Sequence, residues 1–148
     1  MRGRNVPFRY LEDVAIADVA FEAEGATLGE TFGAAADATL AVMVGEPSSV
    51  LPRVRASFAA EDEALDILLL RFLEELVYRK DAEGLLLRSP DPRVERRGGL
   101  WSLRAELAGE RIDPSRHRLL LDVKAVTLHL LSVEQTPGGW RARVVLDV

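Results

Sequence analysis

The sequence contains no cysteine among its 148 residues. Disulfide-stapled scaffolds, cysteine-based zinc sites, thiol nucleophiles and iron–sulfur clusters are therefore excluded. Histidine occurs only twice, and no H-x-x-x-H pair is present, so a zinc site would need carboxylate ligands. A chain without cysteine is typical of a reducing compartment, and we expect a cytoplasmic protein.

Long apolar runs and the common nucleotide-binding and hydrolase motifs are also missing. No stretch of about 18 uncharged apolar residues occurs, so the sequence predicts no membrane span. The first arginines have no apolar run behind them, which is unlike a secretory signal. We find no G-x-x-x-x-G-K-[ST] loop, no G-x-G-x-x-G ahead of a helix and no G-x-S-x-G elbow. The chemistry that remains available is that of carboxylates.

Positive charge is not concentrated anywhere in the chain, whose net charge is −5. A domain that grips nucleic acid by itself usually carries a basic face. The densest basic group here is Arg93, Arg96 and Arg97, which we interpret as part of a solvated loop. We therefore expect no tight direct binding of nucleic acid.

Hydrophobic residues make up 48% of the chain and charged residues 29%, which supports a packed core. The length is that of one ordinary domain covering residues 1–148. Helical and strand-like patterns are mixed, and no internal repeat is visible. We predict an α+β fold, with two main helices and a mostly antiparallel sheet.

Two segments have helical periodicity. Thr27 and Glu30 form a capping box of the S/T-x-x-E type, and the apolar stripe that follows ends at Gly45. A second helix is predicted over residues 61–78, with acidic residues in its first turn. Strands are predicted at 17–23, 52–58, 84–88, 100–109, 121–134 and 140–147, with a loop at 89–99, irregular chain at 110–118 and a hairpin turn at 135–139.

Several segments, taken in order, resemble the archease family. The resemblance covers nearly the whole chain, and the order and spacing of the segments are specific although no single segment is. Three departures stand out, namely Asp-Val-Ala-Ile at 13–16 where the family has a His-Thr pair, Leu128 where tyrosine is common, and Val148 where isoleucine is frequent. The matching segments are Ala-Asp-Val-Ala-Phe at 17–21, Thr-Leu-Gly-Glu-Thr-Phe-Gly-Ala-Ala at 27–35, Phe-Leu-Glu-Glu-Leu-Val-Tyr at 72–78, Gly-Glu at 109–110, Ile-Asp at 112–113, Arg-His at 116–117, Val-Lys-Ala-Val-Thr-Leu-His at 123–129 and the last residues, 139–148.

The resemblance implies a single archease-like domain over 1–148 that is not an enzyme. Archeases act on the GTP-dependent tRNA-splicing ligase, which joins RNA ends carrying a 3′-phosphate or cyclic phosphate to a 5′-hydroxyl. They promote guanylylation of the ligase and its multiple turnover. The resemblance therefore implies this ligase as the partner and an activator as the function.

The resemblance also implies a site for a hard divalent cation at Asp18, Asp147 and Val148. Strand alternation agrees in part, since Asp18 and Asp147 both fall out of phase with the main apolar stripe of their strands. The two carboxylates can converge if the strands pair, and a cation would offset their repulsion. Oxygen ligands suit Ca²⁺, our leading candidate, or Mg²⁺ or Mn²⁺. The alternative is that both aspartates are unrelated surface acids.

Lys124, Glu110 and His129 are candidate contacts with a partner. Lys124 is predicted in phase with apolar residues of a strand, so it lies at the open end of the sheet or pairs with Glu110 or Asp122. Both histidines have a simpler interpretation as hydrogen-bonded boundary residues. Two other function classes stay open, a metal-dependent phosphoester hydrolase and a general chaperone or adaptor without metal.

Overall fold

The computed structural model describes residues 7–11 and 17–148. Within these ranges, two α-helices are set among strands that pair only in antiparallel fashion, which confirms the predicted α+β class. The elements are β1 (Phe8–Leu11), β2 (Asp18–Gly25), α1 (Leu28–Val44), a 3₁₀ turn (Pro47–Ser49), β3 (Val54–Asp62), α2 (Leu65–Glu83), β4 (Leu85–Arg88), β5 (Arg93–Arg97), β6 (Leu100–Arg111), β7 (Ala125–Thr136) and β8 (Gly139–Asp147).

The described strands form two sheets. The first has the order β1-β2-β8-β7, so the first long strand of the chain pairs with the last. The second has the order β3-β6-β4, and β5 also pairs with β6. Because β2 and β8 are neighbours, residues from opposite ends of the sequence meet across one ladder.

Helix α1 begins as the sequence predicts. The Thr27 hydroxyl accepts a hydrogen bond from the Glu30 N–H at 3.1 Å. The Glu30 carboxylate, however, accepts from the N–H of Ala26 at 3.2 Å rather than from that of Thr27. The helix ends at Gly45, whose N–H donates to the Ala41 carbonyl.

Helix α2 is displaced towards the C-terminus relative to the predicted 61–78. Glu61 and Asp62 belong to β3 and not to the first turn of the helix. The Asp62 carboxylate accepts from the N–H of Ala64, and the helix starts at the next residue. It continues to Gly84, whose φ of 66° is the left-handed conformation that glycine adopts readily at a helix end.

Two other segments differ from expectation. The predicted loop at 89–99 contains β5, which forms a hairpin with β6 through Gly98 and Gly99. The predicted strand at 121–134 starts only at Ala125, and its register with β8 shifts between Thr127 and Ser132. The alternation of apolar and polar residues in the sequence does not reveal such a bulge. The extra residues disturb the pairing with the neighbouring strand, but they leave the strand-like composition of the segment unchanged.

The two sheets and both helices share one hydrophobic core. The rings of Phe32 in α1 and Phe72 in α2 stack with centroids 6.0 Å apart, and Phe58 of β3 stacks on Phe72 at 6.5 Å. In the described ranges, neither helix is long and apolar enough to cross a membrane. The core therefore fixes where β2 and β8 lie, and with them the end of the sheet that carries the candidate site.

Candidate functional site

The ladder between β2 and β8 carries facing charged pairs on one of its surfaces. Glu24 faces Arg141 and Glu22 faces Arg143, so each of these acids lies opposite a base. The Arg141–Glu24 ion pair measures 3.5 Å and the Arg143–Glu22 pair 2.6 Å. Further along the same surface, Asp18 faces Asp147. This last pair, which we name the acid–acid rung, sets two carboxylates directly opposite each other.

The acid–acid rung lies where the sheet ends. The Val148 N–H donates to the carbonyl of Ala17 at 3.1 Å, and the Lys124 N–H donates to the carbonyl of Asp147 at 2.8 Å. Directly opposed residues in an antiparallel ladder have Cβ atoms about 5 Å apart. The pairing of β2 with β8 thus brings together the two aspartates that the sequence analysis singled out, with Val148 next to them.

Like charges opposite each other in a ladder destabilise the sheet unless a counter-charge is present. Neither aspartate forms an ion pair with any residue in the described ranges. Hard oxygen donors at this spacing suit a divalent cation. Among residues 7–11 and 17–148, no group of three or more His, Asp or Glu side chains could hold a metal ion. A cation here would therefore complete its shell with main-chain or terminal oxygens and water.

Lys124 lies outside the strand in which the sequence analysis placed it. Strand β7 begins one residue later, and Lys124 is exposed beside the acid–acid rung. Its two expected acidic partners are used elsewhere: Asp122 accepts a hydrogen bond from Lys80, and Glu110 pairs with Arg116. The ammonium of Lys124 forms no ion pair with a described residue, so it is available at the open end of the sheet.

His129 lies in the irregular part of β7. It is exposed, and its N–H donates to the Thr127 hydroxyl at 3.3 Å. The neighbouring leucines, Leu128 and Leu130, are also exposed, and Leu130 has the positive φ of 56°. The ladder with β8 is interrupted here, and contact of His129 with a partner stays a prediction.

Glu110 has a different environment from the one a surface contact needs. It is 5% exposed, and its carboxylate accepts from the Leu51 N–H at 2.7 Å and from Arg116. The same carboxylate lies 3.1 Å from Nε2 of His117, which is buried. Burial and the nearby Arg116 charge lower the pKa of His117. This geometry favours a structural role for Glu110, which joins β6 to Leu51, just after the 3₁₀ turn, and to Arg116, after the end of β6.

Sequence reasoning missed the buried carboxylate of Glu22. Arg9 of β1 donates two hydrogen bonds to Oε1, at 3.0 and 2.8 Å, and Arg143 of β8 donates to Oε2 at 2.6 Å. The hydrogen bond from Arg143, with support from Arg9, lowers the pKa of Glu22 against the effect of burial. The sequence does contain a signal for this ion pair, because acids alternate along one face of β2 and arginines alternate along the matching face of β8.

The geometry and the sequence agree with one known family. The model of the Archease protein family (MTH1598/TM1083) matches residues 8–148. The chain belongs to the archease family. A protein archease of Pyrococcus furiosus is 37% identical over 133 residues, covering 89% of this chain and 93% of the relative. The archease of Methanosarcina mazei is 30% identical over 149 residues and covers both chains completely.

Solved structures confirm that the fold is that of archeases. Methanobacterium thermoautotrophicum protein 1598 superposes with a TM-score of 0.83 at 28% identity, covering 97% of this chain and all of that one. An archease from Thermotoga maritima, described as a possible chaperone, has a TM-score of 0.60 at 19% identity and shows the fold alone. The family resemblance from sequence is therefore confirmed. The departure at residues 13–16 lies outside the described residues.

Proposed function

We propose that this archease is a non-enzymatic activator of the GTP-dependent tRNA-splicing RNA ligase. It would promote guanylylation of the ligase and allow multiple turnover of RNA joining. Membership of the archease family supports the partner, and one structural observation supports the site. That observation is the acid–acid rung, at which Asp18 and Asp147 face each other while the other acids of the ladder face arginines.

The proposal includes a divalent cation at the acid–acid rung, with Ca²⁺ as the leading candidate and Mg²⁺ or Mn²⁺ as alternatives. Asp18 and Asp147 would hold it, and the terminal carboxylate of Val148 is a third candidate ligand. The cation supplies a hard positive charge that neutralises the facing carboxylates and attracts oxygen ligands of a partner. Lys124 adds a further positive charge beside the rung and is a candidate contact with the ligase, as is His129 in the bulge.

The activator proposal is tested with the purified ligase, GTP and Mn²⁺. Adding this archease should increase the guanylylated fraction of the ligase and convert RNA joining from single to multiple turnover. Both quantities can be followed in the same samples, by radiolabel transfer from GTP and by gel analysis of joined RNA. If neither increases, the chain does not activate this ligase.

The cation site is tested separately with Asp147→Asn and Asp18→Asn. Losing an outer-shell partner of a metal ligand costs roughly 10–100-fold in affinity, so losing a direct carboxylate ligand should cost at least as much. Ca²⁺ should raise the melting temperature of the wild-type protein and not of either variant. Without metal, each variant should be more stable by about 0.2–1 kcal/mol, because repulsion across the rung is removed.

Glu24→Gln is the matched control, because Glu24 lies on the same surface of β2 but faces Arg141. It should retain both the Ca²⁺-dependent rise in melting temperature and the activation of the ligase. Full activation by Asp147→Asn would contradict the cation site while leaving the activator proposal intact.

A chaperone function is the second candidate, favoured by exposed apolar side chains. Leu119, Leu120 and Leu121 are 51%, 48% and 52% exposed. Such patches can receive the apolar segments of other proteins. This candidate predicts suppressed aggregation of unrelated clients, unchanged by Asp147→Asn. Phosphoester hydrolysis, the remaining alternative, would show as turnover of a phosphoester substrate in the absence of the ligase.

A further inference from the structure

A second pair of like charges lies in the second sheet. In the ladder between β5 and β6, Arg93 faces Arg104, and both side chains are exposed. Neither guanidinium forms an ion pair with a residue of the described chain. Their Cβ atoms are about 5 Å apart, as in any directly opposed pair. Two positive charges without an ion-pair partner among the described residues are thus held side by side on one face of the second sheet.

The surface beside these arginines carries small side chains and is open to solvent. Across the ladder from Arg104 on its other side lies Ala59 of β3, and Ser57 lies further along the same strand surface. These small side chains leave a hollow of about 450 Å³, whose lining includes Ser57, Ala59, Arg93 and Arg104 and also the acids Asp91 and Glu106. A compact ligand can therefore reach both guanidinium groups from solvent.

The neighbouring charges restrict the size of that ligand. On the same face, Glu106 lies two residues after Arg104 in β6, and Glu95 lies two residues after Arg93 in β5. Because the two strands are antiparallel, these glutamates flank the arginine pair on opposite sides. Glu95 already pairs with Arg97 at 3.1 Å, whereas Glu106 has no ion pair with a described residue. A long polyanion that followed the strands would cross these carboxylates. A small dianion is short enough to bind between Glu106 and Glu95, against the two arginines.

Guanidinium groups bind phosphate oxygens through two parallel hydrogen bonds, and two of them can hold one phosphate from opposite sides. We propose that Arg93 and Arg104 form a binding site for a compact phosphate dianion, either free or at the end of a phosphorylated molecule. Binding neutralises the repulsion between the two arginines, so the ligand stabilises the folded chain. The site is independent of the proposed activation of the ligase.

The probes are inorganic phosphate, pyrophosphate and a single-stranded RNA without terminal phosphates, each compared with sodium chloride at matched ionic strength. Pyrophosphate and phosphate should raise the melting temperature of the wild-type protein, and calorimetry should give a saturable isotherm. Arg93→Gln and Arg104→Gln should each weaken binding at least about tenfold, since a charge-assisted hydrogen bond is lost. The RNA, which lacks a terminal phosphate, should produce no larger shift in melting temperature than sodium chloride does at the same ionic strength.

Arg55→Gln is the control, because Arg55 is exposed on the same face but lies opposite Ala108. It should bind both phosphate probes like the wild type. The two test variants should melt no lower than the wild type in phosphate-free buffer, which shows that they fold. Unchanged binding in Arg104→Gln, no phosphate-dependent shift in the wild type at millimolar concentration, or equal binding of the RNA through the same arginines would each overturn the proposal.

Discussion

At the scale of single residues, the opposite neighbour determines what an acid in β2 does. Glu22 and Asp18 lie on the same face of the strand, but Glu22 meets Arg143 and Asp18 meets Asp147. The hydrogen bond from Arg143 lowers the pKa of Glu22, so this carboxylate stabilises the fold above its ordinary pKa and loses that effect as the pH falls. Asp18 has no such base opposite it among the described residues, which is why we propose a divalent cation as its counter-charge.

His117 carries a prediction about acid stability. Its Nδ1 accepts from the Asp113 N–H at 2.8 Å, so the proton of the neutral ring is on Nε2, which faces Glu110 and Arg116. Burial and Arg116 lower the pKa of His117, while Asp113 acts weakly in the other direction. The unfolded chain therefore binds more protons than the folded one below about pH 6.5.

The free energy of unfolding should consequently decrease as the pH falls below about 6.5. His117 contributes at most about 1.4 kcal/mol per pH unit to this decrease. Urea unfolding at a series of pH values measures the slope, which should be smaller in His117→Gln. His129→Gln, a change at an exposed residue, should keep the wild-type slope. Equal slopes in the wild type and His117→Gln would show that His117 does not cause the acid sensitivity.

At the scale of elements, the sequence predicts best where one local signal is sufficient. The capping box at Thr27 marks the start of α1, and Gly45 marks its end. Strand alternation places Asp18 and Asp147 on matching faces of their strands. The facing of these two aspartates was therefore predictable from the phase of the two strands, provided that they pair. Alternation could not predict which residue of β8 opposes Asp18, because the register depends on the whole sheet.

The arginine pair was not predictable, because β5 was interpreted as a loop. Pro90 and Pro92 precede this strand, and Gly98 and Gly99 follow it. These residues are as typical of a hairpin and its approach as of an irregular loop. Strand β5 is stabilised by its ladder with β6, a non-local contact that a local pattern does not contain. The shift of α2 has a similar cause, since β3 extends over acids that favour a helix start.

Gly109 carries the prediction at this scale. A Cβ at this position would overlap the carbonyl oxygen of Leu86, because β4 pairs closely with β6 here, with Leu87 opposite Gly109. Gly109→Ala should therefore separate the strands and destabilise the protein by about 3 kcal/mol, at the upper end of the usual cost of overpacking. Equilibrium denaturation in urea gives this value. Gly138→Ala, in the hairpin turn with nothing within 4 Å of the added atom, should cost far less. Similar losses in both variants would contradict the close-approach argument.

At the scale of the whole molecule, three stacked aromatic rings connect the two helices with the second sheet. Phe72 of α2 lies between Phe32 of α1 and Phe58 of β3, and it is fully buried. Helix α1 packs on β2 and β8 of the first sheet, while β3 belongs to the second. Phe72 thus contributes to the stability of both sheets at once, and the two sheets should unfold together.

Phe72→Ala should accordingly lower the free energy of unfolding by about 3–5 kcal/mol without separating the transition into two steps. Amide signals of β8 and of β6, followed by NMR during urea unfolding, report the two sheets separately. Tryptophan fluorescence does not, because the rings of Trp101 and Trp140 are in edge contact with centroids 6.4 Å apart. The two midpoints should coincide before and after the change. Tyr78→Ala, on the same helix but 59% exposed, should change stability by no more than about 0.5 kcal/mol. Separate midpoints would mean that the sheets unfold independently.

The irregular stretch of β7 also affects how copies of the chain meet. Strand β7 is an outermost strand of the first sheet, so its free side presents main-chain donors and acceptors to solvent. Between Thr127 and Ser132 the backbone leaves the straight path that an added strand would have to follow. A neighbouring molecule can align with only short parts of this border, which hinders the sheet-to-sheet polymerisation that leads to fibrils.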